Sequence, residues 1–207
     1  MKDLPLLRFI LVSMLISMFL FGGCLGKSQS PRFYVLSPMP EDQAAAKSQA
    51  PARDAIIGIG PIKLADYLDQ SKLVTRTGDN KLVKADFDLW AGSFKDNITN
   101  VLAENIGFLV PTERIYIHPW RRSVPVEFQI VIDVVRCDGQ LGEDALLVAR
   151  WSVLSGKDKK LLAASRSSIR EPVTGSGHAV VVAAQTRALA KLSSDVDAAI
   201  TEASRGQ

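Results

Sequence analysis

Val126, Phe128, Ile130, Ile132 and Val134 alternate with Glu127, Gln129, Val131, Asp133 and Val135. This unbroken period of two commits the segment to a strand, with one face in a core and the other face mixed. Such a strand needs neighbours, and the following residues supply them. Asp138 and Gly139 read as a turn, and Ala145, Leu147, Ala149, Trp151 and Val153 line a second strand. Residues 156–159 read as another turn, and residues 161–170 as a Ser-rich third strand suited to a sheet edge.

Two segments change to helical spacing. Phe94, Ile98, Val101, Leu102, Asn105 and Leu109 share one stripe opposite Lys95, Asp96, Asn100 and Glu104, with Gly107 and Pro111 bracketing the end. Near the C-terminus, Val181, Ala184, Ala188, Leu189, Leu192, Val196, Ala199 and Ile200 form a second stripe. Gln185, Arg187, Lys191, Asp195 and Glu202 face away from it, and Ser176 in Gly175-Ser176-Gly177 is placed to cap it.

Upstream, residues 32–37 read as a strand and residues 38–53 as an Ala-, Gln-, Ser- and Pro-rich linker. Residues 54–62 read as a buried strand. Its Gly58 and Gly60 allow close backbone approach or a bulge, and its Pro61 ends regular pairing. Residues 64–68 suggest a turn of helix, and residues 72–77 and 82–85 a hairpin across a turn at 77–81. The stretch holding Tyr116, His118 and Trp120 reads as irregular. This order predicts an α+β domain: a mainly antiparallel sheet with two helices packed on one face.

The N-terminus sets the compartment. Lys2 and Arg8 precede an apolar run over residues 9–21, and Gly22, Gly23 and Cys24 follow at once. The run is short for a bilayer span, which needs about 20 apolar residues. Basic start, apolar stretch and small residues before a cysteine predict a lipoprotein signal peptide over 1–23. The lipobox is Phe21, Gly22 and Gly23, with Phe21 where Leu is usual, and Cys24 is the expected lipidation site. Acyl chains such as palmitate, at ~0.8 kcal/mol per buried CH₂, anchor the chain to the membrane. Leu25, in place of Asp, leans toward the outer membrane. The expected organisation is signal peptide 1–23; lipidated tether, first strand and linker 24–53; and a single domain 54–207.

Composition narrows the partners. Residues 1–23 hold two of the 25 basic and one of the 22 acidic residues, so the remainder carries a formal balance of +2. That charge is small and scattered, which speaks against nucleic acid as a partner. With Cys24 lipidated, Cys137 is the one thiol left, so the fold rests on its core rather than a disulfide.

No catalytic constellation stands out. His118 and His178 lie in different segments with no cysteine or carboxylate at metal-ligand spacing, so no metal site is assigned. Gly58-Ile59-Gly60 lacks the third glycine and following helix of a dinucleotide loop, and Gly175-Ser176-Gly177 lacks a phosphate-loop lysine. Asp66, Asp69, Asp86 and Asp88 read as exposed turn residues. No cofactor is expected.

Several features carry a family likeness. Gly60-Pro61 is followed by Leu64, Tyr67-Leu68, the strand Val74-Thr75-Arg76, the hairpin Asn80-Lys81-Leu82, and Trp90 ahead of the first helix. The two long strands and the final helix, with Ala183-Ala184-Gln185 and Ala188-Leu189 before Leu192, continue the pattern. In this the chain resembles the ABC-type transport auxiliary lipoproteins, partners of the paraquat-inducible MCE transport system. It departs from their pattern at Gly92-Ser93-Phe94, at Cys137 and at His178.

The resemblance implies a non-enzymatic adaptor at the periplasmic face of the outer membrane. Such a protein docks an MCE-domain protein that carries lipid between the membranes, and it assembles as a homo-oligomeric ring. Tyr67, Leu68 and Trp90 are candidate partner or oligomer contacts, with a place in the core as the alternative for the two aromatics. A different function class also stays open: a stand-alone periplasmic lipoprotein binding a small apolar ligand, which needs an enclosed apolar pocket. An envelope hydrolase lacks a nucleophile–base pair in this sequence.

Overall fold

The computed structural model describes residues 29–47, 55–110 and 112–205. Phe21, Gly22, Gly23 and Cys24, with the end of the expected linker, lie outside the described residues. In chain order the elements are β1 (Arg32–Tyr34), α1 (Glu41–Lys47), β2 (Ile57–Leu64), β3 (Lys72–Arg76), β4 (Leu82–Trp90) and α2 (Phe94–Leu109). They continue with β5 (Ile115–Ile117), β6 (Phe128–Gly139), β7 (Asp144–Ser155), β8 (Leu161–Pro172) and α3 (His178–Arg205).

The alternating runs form the long ladders of one mixed, mostly antiparallel sheet, as expected of an α+β fold. β6 pairs antiparallel with β7 from Phe128↔Ser155 to Gly139↔Ala145, and β7 pairs antiparallel with β8. Among the described residues β8 pairs only with β7, which makes it the edge expected from its Ser-rich sequence. On the other side of β6, β2 runs parallel along Phe128 to Val134 and carries β5 parallel on its outer edge. Past a register shift between Val134 and Arg136, β3 meets β6 through the single pair Thr75↔Gly139. β4 then pairs antiparallel with β3, and β1 parallel with β4.

One core cluster joins Phe128, Ile130, Ile132 and Val134 of β6 to Ala149, Trp151 and Val153 of β7. The buried stripes of both long helices belong to it, including Ile98, Leu102 and Ile106 of α2 and Leu189, Leu192 and Val196 of α3. α2 starts where Ser93, in extended conformation, accepts a hydrogen bond from Asp96 N at 3.3 Å. The helices are tied by a buried bond from Asn105 Nδ2 to Ser193 Oγ at 3.1 Å. Asn105 Oδ1 also accepts from Met39 N at 2.7 Å, which fixes the segment leading into α1.

Several local expectations are corrected. Residues 138–139 do not turn. Gly139 stays in the ladder opposite Ala145, and a Cβ there would stand 2.8 Å from Val181 Cγ1, so the glycine lets α3 approach β6. The turn lies at residues 140–143, where Gly142 has φ +80°. Pro61 does not end pairing either. β2 runs on to Leu64 because a register shift between Ile59 and Ile62 absorbs the missing donor. Residues 65–68 form a turn closed by Leu68 N on Ala65 O at 2.8 Å rather than a helix, and β4 extends well past residue 85 to Trp90.

The expected linker contains α1. Pro40 O accepts from Gln43 N and Ala44 N at 3.1 Å, and Glu41 and Asp42 place negative charge at the helix N-terminus. Ala44 is buried with Met39 and Leu109. The irregular stretch contains β5, held by backbone pairing to β2. Gly177, not Ser176, stands directly before α3, and Gln185 is buried rather than outward, donating to Cys137 O at 2.9 Å.

Candidate functional site

Three carboxylates are buried among the described residues: Glu171, paired with Arg187 and Lys191 of α3, and Asp138 and Asp88, which with one open cleft hold most of the unusual chemistry of the fold. Asp138 is 0 % exposed. The register shift near residue 135 explains its place. Before the shift the even-numbered residues of β6 enter the core; after it Cys137 does, and Arg136 and Asp138 share the opposite side. Asp138 Oδ1 accepts from Arg76 Nε at 2.9 Å and Arg136 Nε at 3.0 Å, and Oδ2 from Arg76 Nη2 at 3.1 Å and Tyr67 Oη at 2.8 Å. Burial alone would raise this carboxyl; the hydrogen bonds from Arg76 and Tyr67 and the charges of Arg136 and Arg76 hold it below the usual range. Burial, then the bond to Asp138, pushes the Tyr67 phenol up.

Asp88 is the second centre. It is 3 % exposed, not a surface turn residue, because β4 continues through it. Arg32 grips it with Nε and Nη2, each at 2.8 Å, and Tyr34 Oη donates to it at 2.6 Å. His178 Nδ1, at the start of α3, stands 3.1 Å away. Burial opposes ionisation, but the hydrogen bonds of Arg32 and Tyr34, with the nearby Arg32 charge, hold the group below its ordinary value. β1 is thus clamped to β4 and to the head of α3. Asp88 and His178 do not extend to a metal site: among the described residues no three His, Cys, Asp or Glu side chains are grouped to hold an ion.

The candidate contact residues fall in different layers. Tyr67 is half-buried, with its hydroxyl on Asp138. Leu68 and Trp90 are buried in the core, and Trp90 stacks on Phe94 at 4.4 Å between ring centroids. The space beside them, bounded by Leu68, Trp90, Phe94 and Cys137, is ≈ 10 Å³, about one water. Cys137 is buried, and its thiol is pushed up to about 12, by burial first and by Asp138 second.

The cleft, of ≈ 840 Å³, opens where the β7–β8 turn faces the segment leading into β6. Trp120 is one wall. Its indole lies on Gly58, where a Cβ would stand 2.6 Å from Cη2, and His118 covers Gly60 in the same way at 2.9 Å. His118 meets the indole edge-on at 5.5 Å. The two glycines therefore serve close packing by this segment, the close backbone approach that their sequence allowed, while nothing in the sequence pointed to Trp120 and His118 or to the cleft. The other wall is held as tightly: Gly156 N donates to Glu127 O at 2.7 Å, and a Cβ on Gly156 would overlap Val126 O. Lys159, at φ +60°, donates to Gln129 Oε1 at 2.9 Å, and Gln129 Nε2 donates to Gly60 O.

The sequence model of a family described as the ABC-type transport auxiliary lipoprotein component matches residues 34–197. The fold is similar to the crystal structure of an uncharacterized protein, with TM-score 0.67 and 16% identity, covering 83% of this chain and 99% of that one. It is similar also to XCC0632 from Xanthomonas campestris, of family DUF330, with TM-score 0.65 and 15% identity, covering 86% of this chain and 95% of that one. No curated protein matches the chain in sequence.

Proposed function

This chain belongs to the ABC-type transport auxiliary lipoprotein family, and from that premise we propose that it is a lipid-anchored adaptor of an MCE/ABC-type lipid transport system. It is held in the outer membrane through Cys24, faces the periplasm, docks a periplasm-spanning MCE-domain protein and works as a homo-oligomeric ring rather than as an enzyme. The observation that carries this reading is the match of the auxiliary-lipoprotein family over residues 34–197, downstream of a signal ending at Gly22-Gly23-Cys24. Among the described residues no helix is long and apolar enough to cross a membrane.

Contacts to the ring or to the partner run through the Tyr67 region and through apolar surface beside Trp90. Tyr34 pairs with Trp90, and next to it Phe33 is 63% exposed, with Val35 and Phe87 exposed as well. Leu68 and Trp90 support that surface from within. The alternative, a stand-alone binder of a small apolar ligand, calls for an enclosed apolar pocket. The cleft beside Trp120 is open and rimmed with lysines.

The test is affinity purification of the full-length protein from detergent-solubilised envelopes, with co-purifying proteins identified by mass spectrometry. Recovery of an MCE-domain protein, lost in Cys24→Ala, is expected. Recovery of this chain alone at monomer mass would overturn the adaptor reading.

A further inference from the structure

The cleft at the β7–β8 turn has a chemistry that docking does not use. Its floor and one wall are apolar, formed by Trp120, Val124, Val126 and Leu162. Its rim is cationic: Arg122, Lys157, Lys159 and Lys160 line it against Glu127 and Asp158. The two acids are occupied by backbone donors. Glu127 Oε1 accepts from Ile56 N at 3.3 Å, and Asp158 Oδ1 from Lys160 N at 3.2 Å. Lys159 is bound to the neutral Gln129. Arg122 and Lys157 are exposed and, among the described residues, make no ion pair.

We infer that this cleft binds one anionic phospholipid molecule. Its phosphate and headgroup sit among Arg122, Lys157 and Lys160, and the glycerol end of its acyl chains lies along Trp120, Val126 and Leu162. Three arguments lead there. Four cations, Arg122, Lys157, Lys159 and Lys160, stand against two acids, each with one oxygen held by a backbone N–H, so the rim presents a net positive charge to a ligand. The ≈ 840 Å³ volume suits a headgroup and the first part of a chain, within the usual ~300–1,000 Å³ of small-molecule sites. The walls are built in advance, because the indole seats on Gly58 and Gly156 presses on Val126, so ordering the site on binding adds little. A free phosphate shares the charge but makes no use of the apolar wall.

This inference goes beyond the adaptor reading, which needs no lipid held by the chain itself, and either can fail alone. Full-length protein in a nonionic detergent is titrated with phosphatidylglycerol, with phosphatidylcholine of the same acyl chains, and with inorganic phosphate. Occupancy is read by native mass spectrometry. One phosphatidylglycerol per chain is expected, bound at least about tenfold more tightly than phosphatidylcholine. The exposed-site variant R122E/K157E/K160E loses about tenfold or more of that affinity, whereas K63E/K95E/R166E, equal in charge change and away from the cleft, keeps it. Trp120→Ala weakens the lipid and not phosphate. Equal affinity for the two lipids overturns the inference, as does unchanged binding in the cleft variant. Displacement of the lipid by an equal concentration of inorganic phosphate assigns the site to the free ion and overturns it too.

Discussion

Asp138→Asn is the sharpest test of how this fold is held. The wild-type carboxylate is 0 % exposed and accepts hydrogen bonds from Tyr67, from two nitrogens of Arg76 and from Arg136. The amide keeps the shape, but one of its two acceptor oxygens becomes a donor aimed at donors. Arg76 and Arg136, whose side chains are 14% and 33% exposed, then face each other without a counter-charge. Breaking a buried pair from one side costs about 3–5 kcal/mol. Water at Arg136 relieves part of that, so the expected loss is about 3 kcal/mol. Tyr67→Phe removes one donor and leaves the charge paired, with an expected loss of about 1–2 kcal/mol. Urea unfolding of the full-length protein at fixed concentration in nonionic detergent, followed by tryptophan fluorescence, measures both as midpoint shifts at constant slope. A loss below about 1 kcal/mol for Asp138→Asn would refute the claim that this cluster ties β3 and the Tyr67 turn to β6.

Acid should weaken the protein through the same groups. Asp138, Asp88 and Glu171, the last held against its burial by Lys191 and Arg187 of α3, all sit below their ordinary values when folded. Their contribution is therefore complete above the unfolded carboxylate pKa of about 4 and is lost as pH falls through the folded values. Urea midpoints between pH 7 and pH 3 should fall with acid, and less steeply in Asp138→Asn. Gly58→Ala should lose about 1–3 kcal/mol as the Trp120 indole is pushed off β2, read by the same unfolding assay. Gly156→Ala meets a backbone carbonyl instead of a movable ring, so its loss should be larger, about 4 kcal/mol or more. Cys137 should resist iodoacetamide in the native protein and react only on unfolding, as thiol counts over time in urea will report.

The long elements were legible because each buries one regular stripe. The β6 and β7 alternation and the helical stripes of α2 and α3 appear in the core as the sequence predicts. Short elements were not, because their stability is borrowed. β5 makes sense only beside β2, and α1 only with Ala44 against Leu109. Asp138-Gly139 misled because the pair is a common turn signal, whereas here the glycine serves the approach of α3. Asp88 looked like one of several scattered acids. Its partners lie 56 residues back, at Arg32, and far ahead, at His178, and no local pattern reveals such a meeting. Gly58 and Gly60 did announce a close approach, though not that Trp120 and His118 make it.

Asp138 and Asp88 share a logic that hydrophobic patterning cannot supply. β1 has three residues to pair with β4, and β3 touches β6 through one residue pair. Ladders so short place few constraints on register, and a slip of one residue would turn every side chain over. Each of these weak joints has an ionised acid at it. Arg32 and Asp88 are direct partners in the β1–β4 ladder. Arg76 and Asp138 each adjoin the Thr75↔Gly139 pair. A one-residue slip would leave a buried carboxylate without its guanidinium, at about 3–5 kcal/mol, more than so short a ladder recovers by pairing elsewhere. The charges thus select register where the apolar surface is too small to do so. At β1 the selected register fixes the first strand after the proposed lipid tether to both β4 and α3.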